Sequence, residues 1–281
     1  MMQYLFRLKQ SVVLFAVIFV MTQPLVGCGV SMLSAEQEVA IGEENAPKFR
    51  AQQGGAVPDA QLNAYVTEIG MKMVKHIASA EQRKFPWEFN VLNSSTVNAF
   101  ALPGGKIFIT RGLMEKLSNE AELAGVLGHE VGHVVEKHVG KQMTQAMILK
   151  YGLDLASQYS ESQWVSVIGG TGGQLYLLRF GRSQELEADS VGMDYMIRAG
   201  YDPKGLVGVM KVLAGAGGGR TLEMLSTHPH PESRIIQANQ FLGEKYADTQ
   251  NNPKYILGKE AYETRALARL RKLGPPKHGP K

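Results

Sequence analysis

The sequence predicts an α+β fold, mostly α, in which a small antiparallel sheet lies over one long apolar helix. Three observations predict it. Apolar residues recur at helical spacing over most of the chain, a single stretch from Trp87 to Thr110 switches to alternating and β-branched residues, and the most apolar helical run carries two histidines four positions apart. At 281 residues the chain is long enough for one substantial domain with an appendage, and 44% apolar with 20% charged residues points neither to wholesale disorder nor to a multi-span membrane protein.

Residues 1–27 read as an export signal, with a basic start (Arg7, Lys9), an apolar region from Val12 to about Met21, and small residues before Cys28. Leu25-Val26-Gly27-Cys28 looks like a bacterial lipobox, in which Cys28 is diacylated and becomes the mature N-terminus. An uncleaved membrane anchor is the alternative reading. Resemblance to lipoproteins, with Gly29 rather than Asp after the cysteine, implies the bacterial periplasm and lipid anchoring at the outer membrane. Cys28 is the only cysteine, so no intramolecular disulfide is available and stability must come from the core and a bound metal.

Ser34, followed by Glu36, Glu38, Val39 and Ile41, predicts a capped helix that Pro47 breaks. Gln52-Gln53-Gly54-Gly55 is a turn. Asp59 caps a second helix carrying Leu62, Val66, Ile69, Met73 and Ile77 at helical spacing. His76 reads as a helix-end or surface residue. Two or three short antiparallel strands follow, turned at Asn93-Ser94 and Pro103-Gly104-Gly105. A long helix from Asn119 to about His138 comes next, then a helix-rich stretch from Lys141 to Ala199. Within it, the apolar run from Val165 to Phe180 is interrupted by Gly169, Gly170, Gly172, Gly173 and Gln174, too glycine-rich and short for a membrane span, and reads as a buried or mobile cover. A helix starts near Asp202-Pro203, a flexible loop spans Gly215 to Arg220, and an amphipathic helical pair closes the chain.

The net charge of +4 is concentrated at the end, where Lys254 to Lys281 hold eight Lys/Arg against Glu260 and Glu263. That tail reads as a solvated helix end, or as a contact for anionic lipid or polysaccharide. No nucleic-acid-binding module is recognisable, and no nucleic-acid partner is expected.

In His129-Glu130-Val131-Gly132-His133 the helix places both imidazoles on one face, within reach of one zinc ion. Glu130 lies one step around, where a carboxylate can take a proton from a water activated by the metal. Gly128 and Gly132 would let another element approach closely. Catalytic zinc wants three protein ligands and an open position. Glu136 and Val139 stand where the metzincin arrangement needs Gly and His, which excludes it. His138 lies about 140° around the helix from His133, and so reads as a structural residue facing away from the metal. In Arg182-Ser183-Gln184-Glu185-Leu186-Glu187-Ala188-Asp189, Glu185 and Asp189 share a face and Glu187 points roughly 200° away. Glu185 is therefore expected on zinc, with Glu187 as the rival ligand. Asp189 is expected to accept a hydrogen bond from the outer nitrogen of a ligating histidine. Arg182 reads as a surface ion pair or a supporting residue near Glu185.

HEVGH, then RSQELEAD, then STHPHPESRI, in that order, resemble the M48 (Ste24/HtpX/Oma1-like) peptidases, and in particular their bacterial periplasmic lipoprotein and envelope-assembly branch, over about Ala35 to Leu242. The resemblance implies a zincin-like (gluzincin) fold, one zinc per chain on His129, His133 and Glu185, Glu130 as base and Asp189 behind the ligands. It also implies an edge strand, Asn98, Ala99, Phe100, Ala101 and Leu102, along which substrate is held. A peptidase domain over 28–245 would be followed by a basic helical extension over 246–281. From the residues alone, His228 in Thr227-His228-Pro229 reads as a surface turn, and so does His230. The resemblance implies that His228 can reach zinc as a fourth ligand, gating the site or assisting catalysis. The chain lacks the intramembrane helices of the Ste24 and HtpX relatives and a run long enough for a tetratricopeptide array. The expected activity is zinc-dependent cleavage of misfolded or stalled envelope proteins, with unfolded or misassembled envelope proteins as substrates and the membrane engaged through the N-terminal lipid. The competing reading is a latent chaperone or assembly-factor lipoprotein with a zinc site.

Overall fold

The computed structural model describes residues 29–151, 179–215, 223–249 and 251–277. The expected export signal and Cys28, residues 165–178 of the expected cover, and residues 216–220 of the glycine-rich loop lie outside the described residues. The chain divides into Met1–Val30 and Ser31–Lys281, and every helix and strand named below belongs to the second unit.

Helix α1 (Ala35–Gln52) starts in a reciprocal cap between Ser34 and Gln37 and continues through Pro47. The proline does not break it, contrary to expectation. Pro47 sits on the exposed side, where the carbonyl it leaves unpaired meets water, while Ile41, Ala46 and Phe49 are buried. Helix α2 (Ala60–Val74) is capped by Asp59 and buries Leu62, Val66, Ile69 and Met73. A short turn α3 (Ala80–Arg83) leads into strand β1 (Glu88–Leu92).

Strand β2 (Ala99–Leu102), a 3-10 turn at Pro103–Gly105 and strand β3 (Lys106–Thr110) form a hairpin. Gly104 and Gly105 adopt left-handed backbone there (φ 72° and 87°), which glycine accepts without steric cost. The sheet order is β1-β3-β2, with β1 parallel to β3 and β2 antiparallel to it. The expectation of an all-antiparallel sheet is thus corrected to a mixed one. Asn93 does not turn back on β1, because its N–H donates to the Gly55 carbonyl (2.8 Å) and its carbonyl accepts from Lys277 N–H (3.0 Å). The chain is carried past, and β2 pairs on the far side of β3.

Leu92, Phe100, Leu102 and Phe108 pack with Ile41 and Phe49 of α1 and with Val139 and Met143 of the later helix α6 (His138–Tyr151). On the other face, Val91, Ala99, Ala101, Ile107 and Ile109 pack with α2 and with helix α5 (Glu120–Val135), which follows the turn α4 (Arg111–Met114). The sheet is therefore covered on both sides, with the histidine-bearing α5 beneath it. Beyond it come α7 (Arg182–Arg198), α8 (Lys204–Gly215), α9 (Glu223–Thr227) and α10 (Pro231–Glu244). The chain then runs through α11 (Lys259–Tyr262), a π turn (Glu263–Leu267) and α12 (Ala268–Leu270).

The stretch after residue 245 packs into the same unit. Tyr262, Ala266 and Leu270 are buried, the Tyr262 hydroxyl donates to the Met114 carbonyl (2.7 Å), and the buried Arg111 donates to the carbonyls of Leu270 (3.1 Å) and Gly274 (2.5 Å). Three of its arginines are paired, Arg265 with Glu68, Arg269 with Asp59, and Arg271 with Glu263. Among the described residues no helix is long and apolar enough to cross a membrane.

Candidate metal centre

Helix α5 begins at Asn119, whose side chain accepts from Glu122 N–H, and is buried on every face. Such a helix needs partners all round, and α7 crosses it backbone to backbone. A Cβ on Gly132 would lie 2.8 Å from the Ala188 carbonyl oxygen, and one on Gly192 would lie 2.8 Å from the Gly128 backbone. The approach expected from Gly128 and Gly132 is therefore realised by the helix that carries Glu185 and Asp189.

The crossing brings together three buried donors, His129, His133 and Glu185, and the turn after α9 adds a fourth, His228. His129 Nε2 is 3.0 Å from His133 Nε2 and 3.2 Å from His228 Nδ1. Glu185 Oε1 is 3.4 Å from His133 Nε2 and 3.0 Å from His228 Nδ1. A tetrahedral zinc with bonds of about 2.0–2.1 Å separates its ligand atoms by about 3.3–3.4 Å. Three imidazoles and a carboxylate at these spacings fit such an ion. Glu187, the rival, is turned away from the cluster.

Two shells of support surround the donors. Asp189 Oδ1 lies 2.8 Å from His129 Nδ1, the outer nitrogen. Asp189 also accepts twice from Arg234, through Nε and Nη2, each at 2.7 Å, and Arg234 Nη1 lies 2.6 Å from Glu185 Oε2. Burial would raise both carboxyls, but His228 and Arg234 hold Glu185 well below the ordinary carboxylate range, and Arg234 holds Asp189 low. Arg182, expected near this network, is instead exposed at the start of α7. Arg234 was assigned no role from the sequence. The available signal was its place on the inward face of α10, in register with buried Pro231, Ala238 and Leu242.

His138 requires a correction. It does not face away, because α5 ends at Val135 and Lys137 takes left-handed backbone (φ 55°), which resets the direction of the chain. His138 Nδ1 thus lies 2.8 Å from His133 Nδ1. Phe180 stacks on the His133 ring at 4.0 Å between centroids.

His228 is buried rather than part of a surface turn, while His230 is exposed in left-handed backbone at the start of α10. His228 Nε2 points at Glu130 Oε1 across 3.7 Å, and among the described residues neither atom has a hydrogen-bond partner. Burial raises the Glu130 carboxyl above its ordinary range, against the pull of His228 and His129. Ala99 to Leu102 form an edge strand of the sheet, with buried side chains. Asn98, just before it, donates from its amide to Glu223 Oε1 (2.9 Å) at the head of α9, whose end leads into His228.

Residues 60–241 match the family model described as Peptidase family M48. The chain is 30% identical over 239 residues to the beta-barrel assembly-enhancing protease of Yersinia pestis, covering 81% of this chain and 48% of that protein. It is 33% identical over 224 residues to the mitochondrial metalloendopeptidase OMA1 of Arabidopsis thaliana, covering 78% of this chain and 45% of that protein. It is 32% identical over 216 residues to the metalloprotease YcaL of Escherichia coli, covering 73% of this chain and 82% of that protein. The chain spans about half the length of the first two of these relatives.

Proposed function

Because the chain belongs to peptidase family M48, we propose that it is a zinc-dependent endopeptidase that cleaves misfolded or stalled proteins of the cell envelope. The observation that carries this reading is the tetrahedral spacing of His129, His133, Glu185 and His228, with the buried Glu130 carboxylate beside them. Zinc, when bound, supplies a Lewis acid that acidifies water and polarises a peptide carbonyl. The protein supplies the rest. Glu130 takes the water proton and passes it to the leaving amine. Asp189 holds His129 in the tautomer that leaves Nε2 free, and Arg234 fixes Asp189 and the outer oxygen of Glu185. An extended substrate adds beside Asn98, Ala99, Phe100, Ala101 and Leu102 through its backbone, a mode with little sequence preference that suits unfolded chains.

The envelope setting draws on the name of the Yersinia pestis relative and on the export signal with Cys28, which would anchor the protein by lipid in the bacterial periplasm, at the outer membrane. A second reading is favoured by one observation: His228 Nδ1 lies close enough to Glu185 and His129 to take a fourth corner of a bound zinc, which would keep the centre latent, as in a chaperone or assembly factor with a zinc site. The deciding experiment measures cleavage of an unfolded protein by the zinc-loaded chain, with and without a chelator. Chelator-sensitive cleavage supports the peptidase. One zinc per chain with no turnover, in both wild type and His228→Ala, would replace it by the latent assembly factor.

A further inference from the structure

His129 is backed directly by a buried carboxylate, Asp189, but His133 is not. Behind His133 stands His138, fully buried, and behind His138 stands Glu187, whose side chain is 48% exposed. His138 Nε2 lies 3.0 Å from Glu187 Oε2, and His138 Nδ1 lies 2.8 Å from His133 Nδ1. We propose that Glu187 and His138 form a two-residue positioning relay that fixes the tautomer and ring orientation of His133 and so sets the affinity of the centre for its metal. The inference rests on the reading of His133 as a zinc ligand.

The proton inventory allows one arrangement. A histidine that binds through Nε2 carries its proton on Nδ1. His138 Nδ1, facing that N–H, must be bare and accept. The His138 proton is then on Nε2, where it faces a carboxylate that only accepts. Any other neutral tautomer of His138 would set two N–H groups face to face at 2.8 Å and two lone pairs face to face at 3.0 Å. Order therefore runs inward from an acidic residue at the surface to the metal ligand.

The backbone is arranged to make this contact. Left-handed backbone at Lys137 is strained for a residue with a Cβ, and without it His138 would continue the helix away from His133. Helix α7 grips the end of α5 twice, with Glu185 in front of His133 and Glu187 behind it through His138. Phe180 closes the ring face. Edge and face of His133 are both held.

The test is the zinc affinity of the full chain, by competition with a chromophoric chelator, alongside the visible spectrum of the cobalt-substituted protein and the melting temperature of the metal-free protein. His138→Phe keeps the ring volume and removes both hydrogen bonds; it should weaken zinc binding about 10–100-fold and alter the cobalt spectrum. Glu187→Ala, at the half-exposed end, should weaken it about tenfold with an unchanged metal-free melting temperature. His138→Gln, whose amide can both accept and donate, and Glu187→Gln, whose amide oxygen can still accept from His138, should recover most of the loss. Wild-type affinity in both His138→Phe and Glu187→Ala would overturn the relay. So would losses that track metal-free melting with no recovery in the glutamine variants. Should His138→Phe fail to fold, Glu187→Ala and Glu187→Gln decide alone. Failure of the wild-type chain to bind one zinc would instead overturn the metal-centre reading itself.

Discussion

His228 Nδ1 lies 3.0 Å from Glu185 Oε1 and 3.2 Å from His129 Nε2, where, on the proposed metal reading, it would hold the corner that an attacking water needs. Removing it should open that corner. His228→Ala is expected to raise cleavage of an unfolded protein, and self-cleavage, several-fold while zinc stays near one per chain. A fall in turnover at normal zinc content would assign His228 to catalysis rather than gating.

Glu130 and Glu185 are both buried beside the histidines, yet they should fail differently. Glu130→Gln should keep stoichiometric zinc and lose turnover roughly 10²–10⁴-fold, the usual worth of a general base. Glu185→Gln should lower zinc occupancy itself. Zinc analysis and a peptidase assay on the same preparations separate the two roles, and zinc loss in Glu130→Gln would move Glu130 among the ligands.

Arg234 is the buried guanidinium that two buried carboxylates share. Arg234→Ala leaves Asp189 and Glu185 without it, and should destabilise the metal-free protein by about 3–5 kcal/mol. Arg234→Lys keeps the charge but not the fork, and should lose less. Denaturant unfolding in the presence of chelator reads both; a variant within 1 kcal/mol of wild type in Arg234→Ala would mean the network adds little to folding.

Beside Lys137, burial pushes the Glu38 carboxyl up to about 7, against the pull of that lysine at 3.3 Å, with Glu81 adding to the rise. Its unfolded value is near 4.5, so between the two the folded state holds the extra proton. The stability this contributes is fully present below about pH 4.5 and is lost as pH rises through about 7, on the order of 3 kcal/mol in all. Glu38→Gln should remove that part of the slope between about pH 4.5 and 7. A slope unchanged by the substitution would place its origin elsewhere.

How far the molecule was legible varied with how local each interaction is. His129 with His133, and Glu185 with Asp189, follow from helical spacing alone, and each pair lies on one face as that spacing requires. His138 could not be placed that way, since one left-handed residue, Lys137, undoes the angular count. The β1–β3 pairing is parallel because Asn93 is held by Gly55 and by Lys277, a partner about two thirds of the chain away. Arg234 sat at an inward position of its helix, but a buried charge is readable only once its two carboxylates, on another helix, are known. Pro47 broke a local rule on a solvent face where the rule costs little.

The α5–α7 joint at Gly132, Ala188, Gly128 and Gly192 also bears on which ion the centre accepts. Main chain rests largely on main chain there, which leaves little room for side chains to shrink, swell or change rotamer between the helices. The gap between the histidine pair and Glu185 is in effect a fixed gauge. On the proposed metal reading, three imidazole nitrogens and one carboxylate held by that joint would suit zinc, whereas calcium takes six to eight oxygens. A rigid joint would also spare the ion the work of drawing two helices together when it binds.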